Sequence, residues 1–458
     1  MLPVIGALLA SLPTVDLAYH LRAGGELLDS GRVPMTDTYT FTVAGSEWLN
    51  QQWGAQAILA VLHRIGGWEA LAVARAVLVG VIFGLVLWAA RRAGASDRQA
   101  ALLTLAAFAV SMGALALRPQ LFGMAFFALA VALAAERHRT PGILWALVPL
   151  SAVWANVHGS FFLGPTVLGV AWLSDMHDRE PRATRALLIT LVAAAVTLLN
   201  PYGFGVWTYA AGLSTSSLIT SSITEWQPTS IRTPLGALFF ASAMAVGAVL
   251  ARRSRVTPWP TLLWLGLLFA LGVYAVRGTA WWPIGAAIVV AGLIDQPAVE
   301  QVRREPPRRL NDVLVATLVI AVGLLLPWWK PVDPETGRRD LLSFAPAGIT
   351  SAVRDLAGPD DRLLVAQPLG SWFEYAVPSV PVYVDSRFEV FGEEIWAEYV
   401  SLVNLGEEWS EVLDARGVTV IVTDPERTGD LGSALAEHDG WRRVYGDGDG
   451  EIFVRSER

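Results

Sequence analysis

The chain has 458 residues, of which 53% are hydrophobic and only 16% are charged, so it is more apolar than a typical soluble protein. It has no cysteine, which excludes disulfides and zinc sites built from thiolates. The formal charge of −7 hides an asymmetry, because the segment from Arg338 onward has 23 acidic and 11 basic residues while the rest of the chain is basic. Its arginines form no patch of the kind that binds nucleic acids.

The first 330 residues contain apolar runs long enough to cross a bilayer as helices. They predict a polytopic α-helical membrane protein with about eleven transmembrane helices. The segment Met1 to Val15 lacks the basic start and the cleavage site of a signal peptide, so we interpret it as the first span. The predicted spans are residues 2–15, 67–90, 99–117, 119–136, 142–157, 160–175, 186–200, 234–251, 258–276, 279–294 and 312–328.

The arginines of the linkers between these spans predict the orientation of the chain. Linkers with clustered arginines, such as 91–98, 137–139, 179–185, 252–255 and 303–309, alternate with linkers that carry isolated ones. The positive-inside rule assigns the clustered side to the cytoplasm, which predicts a cytoplasmic N-terminus and an extracytoplasmic C-terminal part in the plasma membrane. The outer face then contains the loops 16–66 and 200–232, several polar residues at span ends, and the tail.

Two segments outside the spans have patterns of their own. In the outer loop 16–66, residues 17–28 and 48–65 are amphipathic and predict helices in the membrane interface, joined by a turn at Gly31–Pro34. After the transmembrane domain (1–330) and a linker (331–344), residues 345–458 predict a small extracytoplasmic α/β domain. Its predicted strands are 363–366, 380–384, 418–422 and 451–454, and its predicted helices are 351–357, 393–403, 408–415 and 433–438.

Several short motifs follow one another along the first 300 residues. They are Asp16–Leu21, GRVPMTDTY at 31–39, LRPQLF at 117–122, WANVHGSF at 154–161, LNPYG at 199–203 and EWQP at 225–228. In this order the chain resembles the GT-C membrane glycosyltransferases, and in particular bacterial members without an assigned substrate. The resemblance implies an inverting enzyme that moves a sugar from a polyprenyl-phosphate donor to a glycan, lipid or protein acceptor on the outer face of the membrane.

Three acidic residues are the catalytic candidates that the resemblance implies: Asp16, Asp37 and Glu225. Asp16 would remove the proton of the acceptor hydroxyl, or bind a divalent metal ion such as Mg or Mn. Asp37 would be the second acid of the same loop, and Glu225 would hold the acceptor or a metal. The structural alternatives are a helix cap for Asp16 and a turn for Asp37.

The substrate-binding candidates lie on the predicted outer face. Arg118 and Arg277 would bind the lipid phosphate in a bidentate way, or else extend to the lipid headgroups. His20 and His158 would donate to phosphate, or else serve as polar partners within the helix bundle. The amides of Asn156 and Gln227 complete the set.

The tail contains a fainter resemblance, between Ser371–Ala376 and the WWDYG stretch of oligosaccharyltransferases. The sequence departs from it at Phe373, Glu374 and Ala376, so we do not carry peptide binding over to this chain.

Two classes of function without glycosyl transfer stay open. A lipid or solute transporter or flippase would need ionisable residues within its spans, where Arg75 is the main example. A non-catalytic cell-envelope assembly protein would use the acidic tail to bind a partner.

Overall fold

The structure is a computed structural model that describes residues 1–140, 142–217, 220, 223–294, 308–332 and 339–456. The predicted arginine pair 303–304 and residues 333–338 of the predicted linker lie outside this part. The described helices are α1 (Leu2–Leu9), α2 (Thr14–Ser30), α3 (Trp53–Arg92), α4 (Asp97–Ser111), α5 (Pro119–Ala135), α6 (Leu147–Ala155), α7 (Leu163–His177), α8 (Ala183–Val196), α9 (Gly205–Thr215), α10 (Pro234–Arg252), α11 (Trp259–Tyr274), α12 (Trp282–Leu293), α13 (Arg308–Leu324), α14 (Ala347–Leu356), α15 (Gln367–Ala376), α16 (Glu393–Val403), α17 (Trp409–Ala415) and α18 (Gly429–Glu437). The strands are β1 (Leu12–Pro13), β2 (Leu342–Ser343), β3 (Leu363–Val365), β4 (Val420–Thr423), β5 (Trp441–Asp447) and β6 (Gly450–Arg455).

The chain divides into two compact units. The first contains residues 1–10 and 69–329, and the second contains residues 11–68 and 330–458. One border falls within α3, close to Gly66 and Gly67, which leave the helical conformation. Gly67 has φ 60° and ψ −153°, a conformation that only glycine adopts without strain. The Gly-Gly pair therefore ends one helical segment and starts the next.

The first unit consists of apolar helices. Three described helices are long and apolar enough to cross a membrane, namely Trp53–Arg92, Pro234–Arg252 and Val276–Leu293. The unit also contains shorter apolar helices, among them α5, whose side chains are mostly buried. These helices agree with most predicted spans to within a few residues, since long apolar runs between arginines define their own ends.

The predicted first span, 2–15, is wrong as a continuous helix. Helix α1 ends at Leu9, residues 12 and 13 form β1, and α2 begins at Thr14. Eight helical residues rise only about 12 Å, much less than the roughly 30 Å of the hydrocarbon core. The reason for the break is Pro13, whose ring excludes a backbone N–H from the helix and favours extended backbone.

The second unit contains a four-stranded sheet with the order β3-β4-β6-β5. Strands β3 and β4 are parallel, whereas β6 runs antiparallel to both β4 and β5. Three predicted strands correspond to β3, β4 and β6, and the predicted helix 393–403 corresponds to α16. The sequence missed β5 and α15.

The predicted strand 380–384 is wrong. Val382 makes only isolated bridges, one to Leu363 and one to Thr40. The segment cannot extend its ladder because Pro381 has no N–H, and Asp385 begins a turn held by its own side chain.

The predicted outer loop, residues 16–66, lies within the segment 11–68, which packs with the C-terminal part in this second unit. Strand β1 pairs in parallel with β2, and α2 packs against α15. The turn predicted at Gly31–Pro34 is present, since Gly31 ends α2 with a left-handed φ of 67°. The rings of Trp68, Trp372 and Tyr375 contact one another and form an aromatic cluster within this unit.

Candidate functional site

A cavity of about 430 Å³ in the first unit brings three predicted site residues together. Arg118, Glu225 and Arg277 all line it, although they come from three distant parts of the sequence. The rest of its wall is largely apolar and includes Val110, Ala114, Leu235 and Val276. A ligand with an anionic head and an apolar chain would match this cavity, because the arginines suit the anion and the apolar wall suits the chain.

The backbone explains why Arg118 reaches this cavity. Arg118 is extended (φ −135°, ψ 166°) because it precedes Pro119, which occupies the first turn of α5. Arg118 therefore stays outside the helix in extended conformation, and its side chain lines the cavity. The LRPQLF motif therefore encodes a helix start with a cation before it.

Backbone hydrogen bonds hold the other two residues beside each other. Glu225 lies in the single turn Thr224–Trp226, and Arg277 lies in the turn Val276–Ala280 that precedes α12. The Val276 N–H donates to the Gln227 carbonyl at 3.0 Å, which ties the two turns together. Gly278 is needed here, because a Cβ at this position would lie 2.0 Å from the Leu271 carbonyl oxygen.

Glu225 forms a bridge between the two arginines. Its Oε1 lies 2.5 Å from Arg118 Nη1, and its Oε2 lies 4.0 Å from Arg277 Nη2. The Arg277 guanidinium also stacks 4.6 Å above the Trp226 ring. The exposed fractions of the Arg118, Glu225 and Arg277 side chains are 26%, 39% and 29%, so solvent and ligands reach all three.

Charge decides the protonation state of this bridge. Burial opposes ionisation of Glu225, but Arg118 and then Arg277 outweigh it and hold the pKa of its carboxyl below the usual value. Glu225 is therefore an anion at neutral pH. Two guanidinium groups and one carboxylate leave the group with a net charge of about +1.

The remaining polar candidates of the first unit are held by neighbours. His158 Nδ1 accepts from the Ser160 N–H at 3.1 Å, so a neutral ring carries its proton on Nε2. Burial, with a smaller effect of Arg277, lowers the pKa of His158 to about 3. Asn156 donates to the carbonyls of Ala152 and Leu199, and so closes a turn. His158 is thus a neutral, buried group close to the Arg277 guanidinium.

Asp16 lies in the second unit, in the first turn of α2 and not at its cap, which is Pro13. The residues before it are anchored to the C-terminal part of this unit. Thr14 Oγ1 donates to the carbonyls of Ser343 and Phe344, and Ser386 Oγ donates to the Val15 carbonyl at 2.7 Å. The first turn that carries Asp16 is therefore fixed, while its side chain is only half-buried.

His20, four residues further along α2, is buried. Its ring contacts Tyr19 at 4.0 Å between centroids, and its Nδ1 lies 3.3 Å from Gln56 Nε2. Gln56 in turn exchanges two hydrogen bonds with Asn50. This arrangement orders the ring within the protein interior.

Asp37 belongs to a sealed charge cluster that the sequence analysis did not find. Its carboxylate accepts from Thr40 and lies 2.5 Å from Arg387 Nη2, and both side chains are 0% exposed. Arg387 Nε also donates to Asp385 at 2.9 Å. We call Asp37, Glu374, Asp385 and Arg387 the sealed cluster. The sequence signal for it was the pair Asp385 and Arg387 directly after an apolar Val-Tyr-Val run.

Glu374 gives the sealed cluster its unusual character. Among the described residues, neither of its carboxylate oxygens accepts a hydrogen bond, and its closest approach to Arg387 Nη2 is 3.9 Å. Burial, followed by the neighbouring Asp385 carboxylate, raises the pKa of Glu374 well above the usual value. The neutral form of Glu374 is therefore favoured, and the charge of Arg387 is balanced mainly by its contacts with Asp37 and Asp385.

The described part of the chain offers no group of three His, Asp or Glu side chains arranged to bind a metal ion. Where three carboxylates do converge, in the sealed cluster, the cation between them is the Arg387 guanidinium. These residues do not fit the Mg or Mn ion that the resemblance allows.

Comparison with known proteins gives solved structures but no sequence relatives. No family model and no curated protein sequence matches the chain. The archaeal oligosaccharyltransferase AglB from Archaeoglobus fulgidus, solved with an inhibitory peptide and a dolichol-phosphate, is similar at a TM-score of 0.62 and 12% identity over 98% of this chain and 71% of its own. ArnT from Cupriavidus metallidurans is similar at a TM-score of 0.54 and 15% identity over 99% and 96%.

A third solved structure widens this group. The arabinofuranosyltransferase AftD from Mycobacteria is similar at a TM-score of 0.55 and 16% identity, over 99% of this chain and 39% of that much longer one. All three neighbours are membrane glycosyltransferases of the GT-C superfamily. The chain therefore shares the fold of these three proteins, as the resemblance implied.

Proposed function

We propose that the protein is an integral membrane glycosyltransferase that moves a sugar from a polyprenyl-phosphate or polyprenyl-diphosphate donor to an acceptor hydroxyl. The positive-inside pattern of its arginines supports a reaction on the outer face of the plasma membrane, with the C-terminal part on that same side. The acceptor class, whether glycan, lipid or protein, stays open.

The observation that carries this proposal is the cavity with two guanidinium groups. Arg118 and Arg277 present planar, permanently charged donors that suit a phosphate, and the apolar lining suits the first isoprene units of the carrier. The similarity to AglB supports the choice of lipid, since that protein was solved with a dolichol-phosphate.

The reaction changes the charge at two atoms, the acceptor oxygen and the phosphate oxygen of the leaving group. The acceptor oxygen forms a bond to the anomeric carbon, the bond from that carbon to the phosphate oxygen breaks, and the electron pair stays on the phosphate. Arg118 and Arg277 stabilise the negative charge that develops there. The acceptor hydroxyl proton passes to a carboxylate, for which we propose Asp16 on its fixed first turn.

The contacts of Arg75, the main sequence feature in favour of a transporter, support a structural role for this residue instead. Arg75 is buried in α3, but its Nη2 donates to the carbonyls of Ala7 and Ala10. These carbonyls lie at the end of α1, where a helix has no internal donors of its own. Arg75 is therefore a helix cap, which accounts for a charge within a span without a transported ion.

The test is transfer by purified full-length protein in nanodiscs that hold a defined pool of polyprenyl-phosphate and polyprenyl-diphosphate sugars. Mass spectrometry of the lipids should show that the wild type consumes one donor, while Asp16→Asn slows consumption by about 100-fold or more. Asp29→Asn is the matched control, because Asp29 lies on the same helix in an exposed pair with Arg64.

Two results would count against the proposal. Consumption of no donor by folded wild type overturns glycosyl transfer from these lipids. If Asp16→Asn transfers sugar at the wild-type rate, Asp16 is not the base, while the proposed glycosyl transfer from these lipids still stands.

A further inference from the structure

The carboxylate of Glu225 lies where an anionic ligand of the cavity would bind. One of its oxygens contacts Arg118 at 2.5 Å and the other faces Arg277 at 4.0 Å, so the carboxylate spans the two guanidinium groups as two oxygens of a phosphate would. A phosphate cannot bind both arginines while this carboxylate remains between them, because the two anions would repel each other.

The contacts of Glu225 differ in strength. The contact with Arg118 is a short charge-assisted hydrogen bond, whereas 4.0 Å to Arg277 is an ion pair without a hydrogen bond. Arg277 is meanwhile held from another side, by stacking on Trp226 and by the hydrogen bond from Gln120 Nε2 to its carbonyl at 3.2 Å. Arg277 thus keeps its place when the carboxylate leaves.

The backbone allows Glu225 to leave without refolding. Its turn is fixed by the bond from Trp226 N to the Ile223 carbonyl and by the bond from Val276 N to the Gln227 carbonyl. Rotation about the side-chain torsions of Glu225 is then enough to remove the carboxylate from the arginines. With 39% of the side chain exposed, the carboxylate can be rehydrated in its new position.

We propose that Glu225 is the resident anion of the donor site: it occupies the phosphate position between Arg118 and Arg277 and is displaced when the lipid phosphate binds. This inference rests on the proposed function, which supplies the lipid phosphate as ligand. It gives Glu225 a role in setting donor affinity and not in proton transfer. Glu225 thus acts as an internal competitor. The apparent affinity for the lipid phosphate is reduced in proportion to the fraction of molecules in which Glu225 has left the two arginines.

The experiment measures binding of geranyl phosphate to the full chain in nanodiscs by isothermal titration calorimetry. Glu225→Gln keeps the shape of the side chain but removes its charge, so we expect about five- to tenfold tighter binding than wild type. Glu136→Gln is the matched control. Glu136 also bridges two arginines, Arg92 and Arg139, but does not line the cavity, so this variant should bind as wild type does.

Inorganic phosphate and geraniol are measured beside geranyl phosphate. Equal gains for inorganic phosphate and geranyl phosphate in Glu225→Gln, with none for geraniol, support a competition at the charged head. A gain for inorganic phosphate together with no binding of geranyl phosphate would overturn the lipid as ligand.

The remaining outcomes separate this inference from the proposed function. Wild type that binds geranyl phosphate, with Glu225→Gln equal or weaker, overturns the resident anion and leaves the donor site standing. Absence of binding in both overturns the donor site and the inference with it. In transfer assays the inference expects Glu225→Gln to lower the donor KM at unchanged kcat, whereas a catalytic Glu225 would lose kcat.

Discussion

Two clusters in this protein are made from the same side chains and differ in exposure. The sealed cluster of the second unit surrounds Arg387 with Asp37, Asp385 and Glu374, all 0% exposed. The cavity of the first unit places Glu225 between Arg118 and Arg277, which are about a quarter exposed. An arginine that is fully buried among carboxylates is inaccessible to a ligand and has a structural role, whereas a partly exposed arginine can exchange a carboxylate for a ligand.

The largest expected effect comes from removing the cation of the sealed cluster. Arg387→Leu leaves carboxylates buried without a partner, so we expect a loss of about 3–5 kcal/mol in the stability of the second unit. Hydrogen exchange of peptides from β3, β4 and α2 measures it. Arg443→Gln is the control, since Arg443 is 58% exposed in a surface pair with Glu451 on the same sheet. Equal exchange in the two variants would show that the sealed cluster does not stabilise this unit.

The next effect concerns the open cavity. Arg277→Gln and Arg118→Gln each remove a charged donor, and we expect geranyl phosphate to bind about 10- to 100-fold more weakly. Hydrogen exchange of the first unit should stay close to wild type, because these side chains are partly solvated already. Arg232→Gln is the control, as Arg232 is exposed and does not line the cavity. Unchanged binding in both cavity variants would make the two arginines structural, like Arg387.

The sequence predicted Arg118, Glu225 and Arg277 as site residues, but it did not predict that all three line one cavity of the first unit. Arg118 and Arg277 each stand at the end of an apolar run, and Glu225 stands before Trp226 in a predicted outer loop, so each had a local signal. Their convergence depends on how the apolar helices pack, and periodicity does not specify this. The helices themselves were predictable for the same reason, whereas α1 failed because Pro13 breaks an apolar run that hydropathy alone treats as continuous.

The sealed cluster was beyond local patterns for a different reason. Asp37 and Arg387 are 350 positions apart in sequence, and the apolar run before Asp385 and Arg387 does not show which distant acid this arginine contacts. Glu374 gave a usable signal, as an acid within the apolar stretch Leu369–Ala376, but it was compared with a peptide-binding motif instead. A buried acid in an apolar helix indicates a partner elsewhere, and only the tertiary structure shows which one.

The smallest effect, and the sharpest test of sealing, is the dependence of stability on pH. The folded-state pKa of Glu374 is raised by burial and then by Asp385, against the opposing charges of Arg387 and Arg22. A carboxyl whose pKa is raised binds its proton more tightly in the folded state. Its contribution is therefore fully present below the unfolded pKa of about 4.3, and is lost as pH rises through the folded value.

Glu374→Gln mimics the protonated form and should remove this loss. We expect the second unit of the variant to match wild type at about pH 4, below the unfolded pKa, and to be the more stable of the two at alkaline pH, as read by thermal unfolding between these limits. Glu437→Gln changes an exposed residue at the end of helix α18 and controls for the change of charge alone. Parallel pH profiles for wild type and Glu374→Gln would mean that Glu374 ionises without cost. The sealed cluster would then be as open to water as the cavity of the first unit, and the difference on which their separate roles depend would disappear.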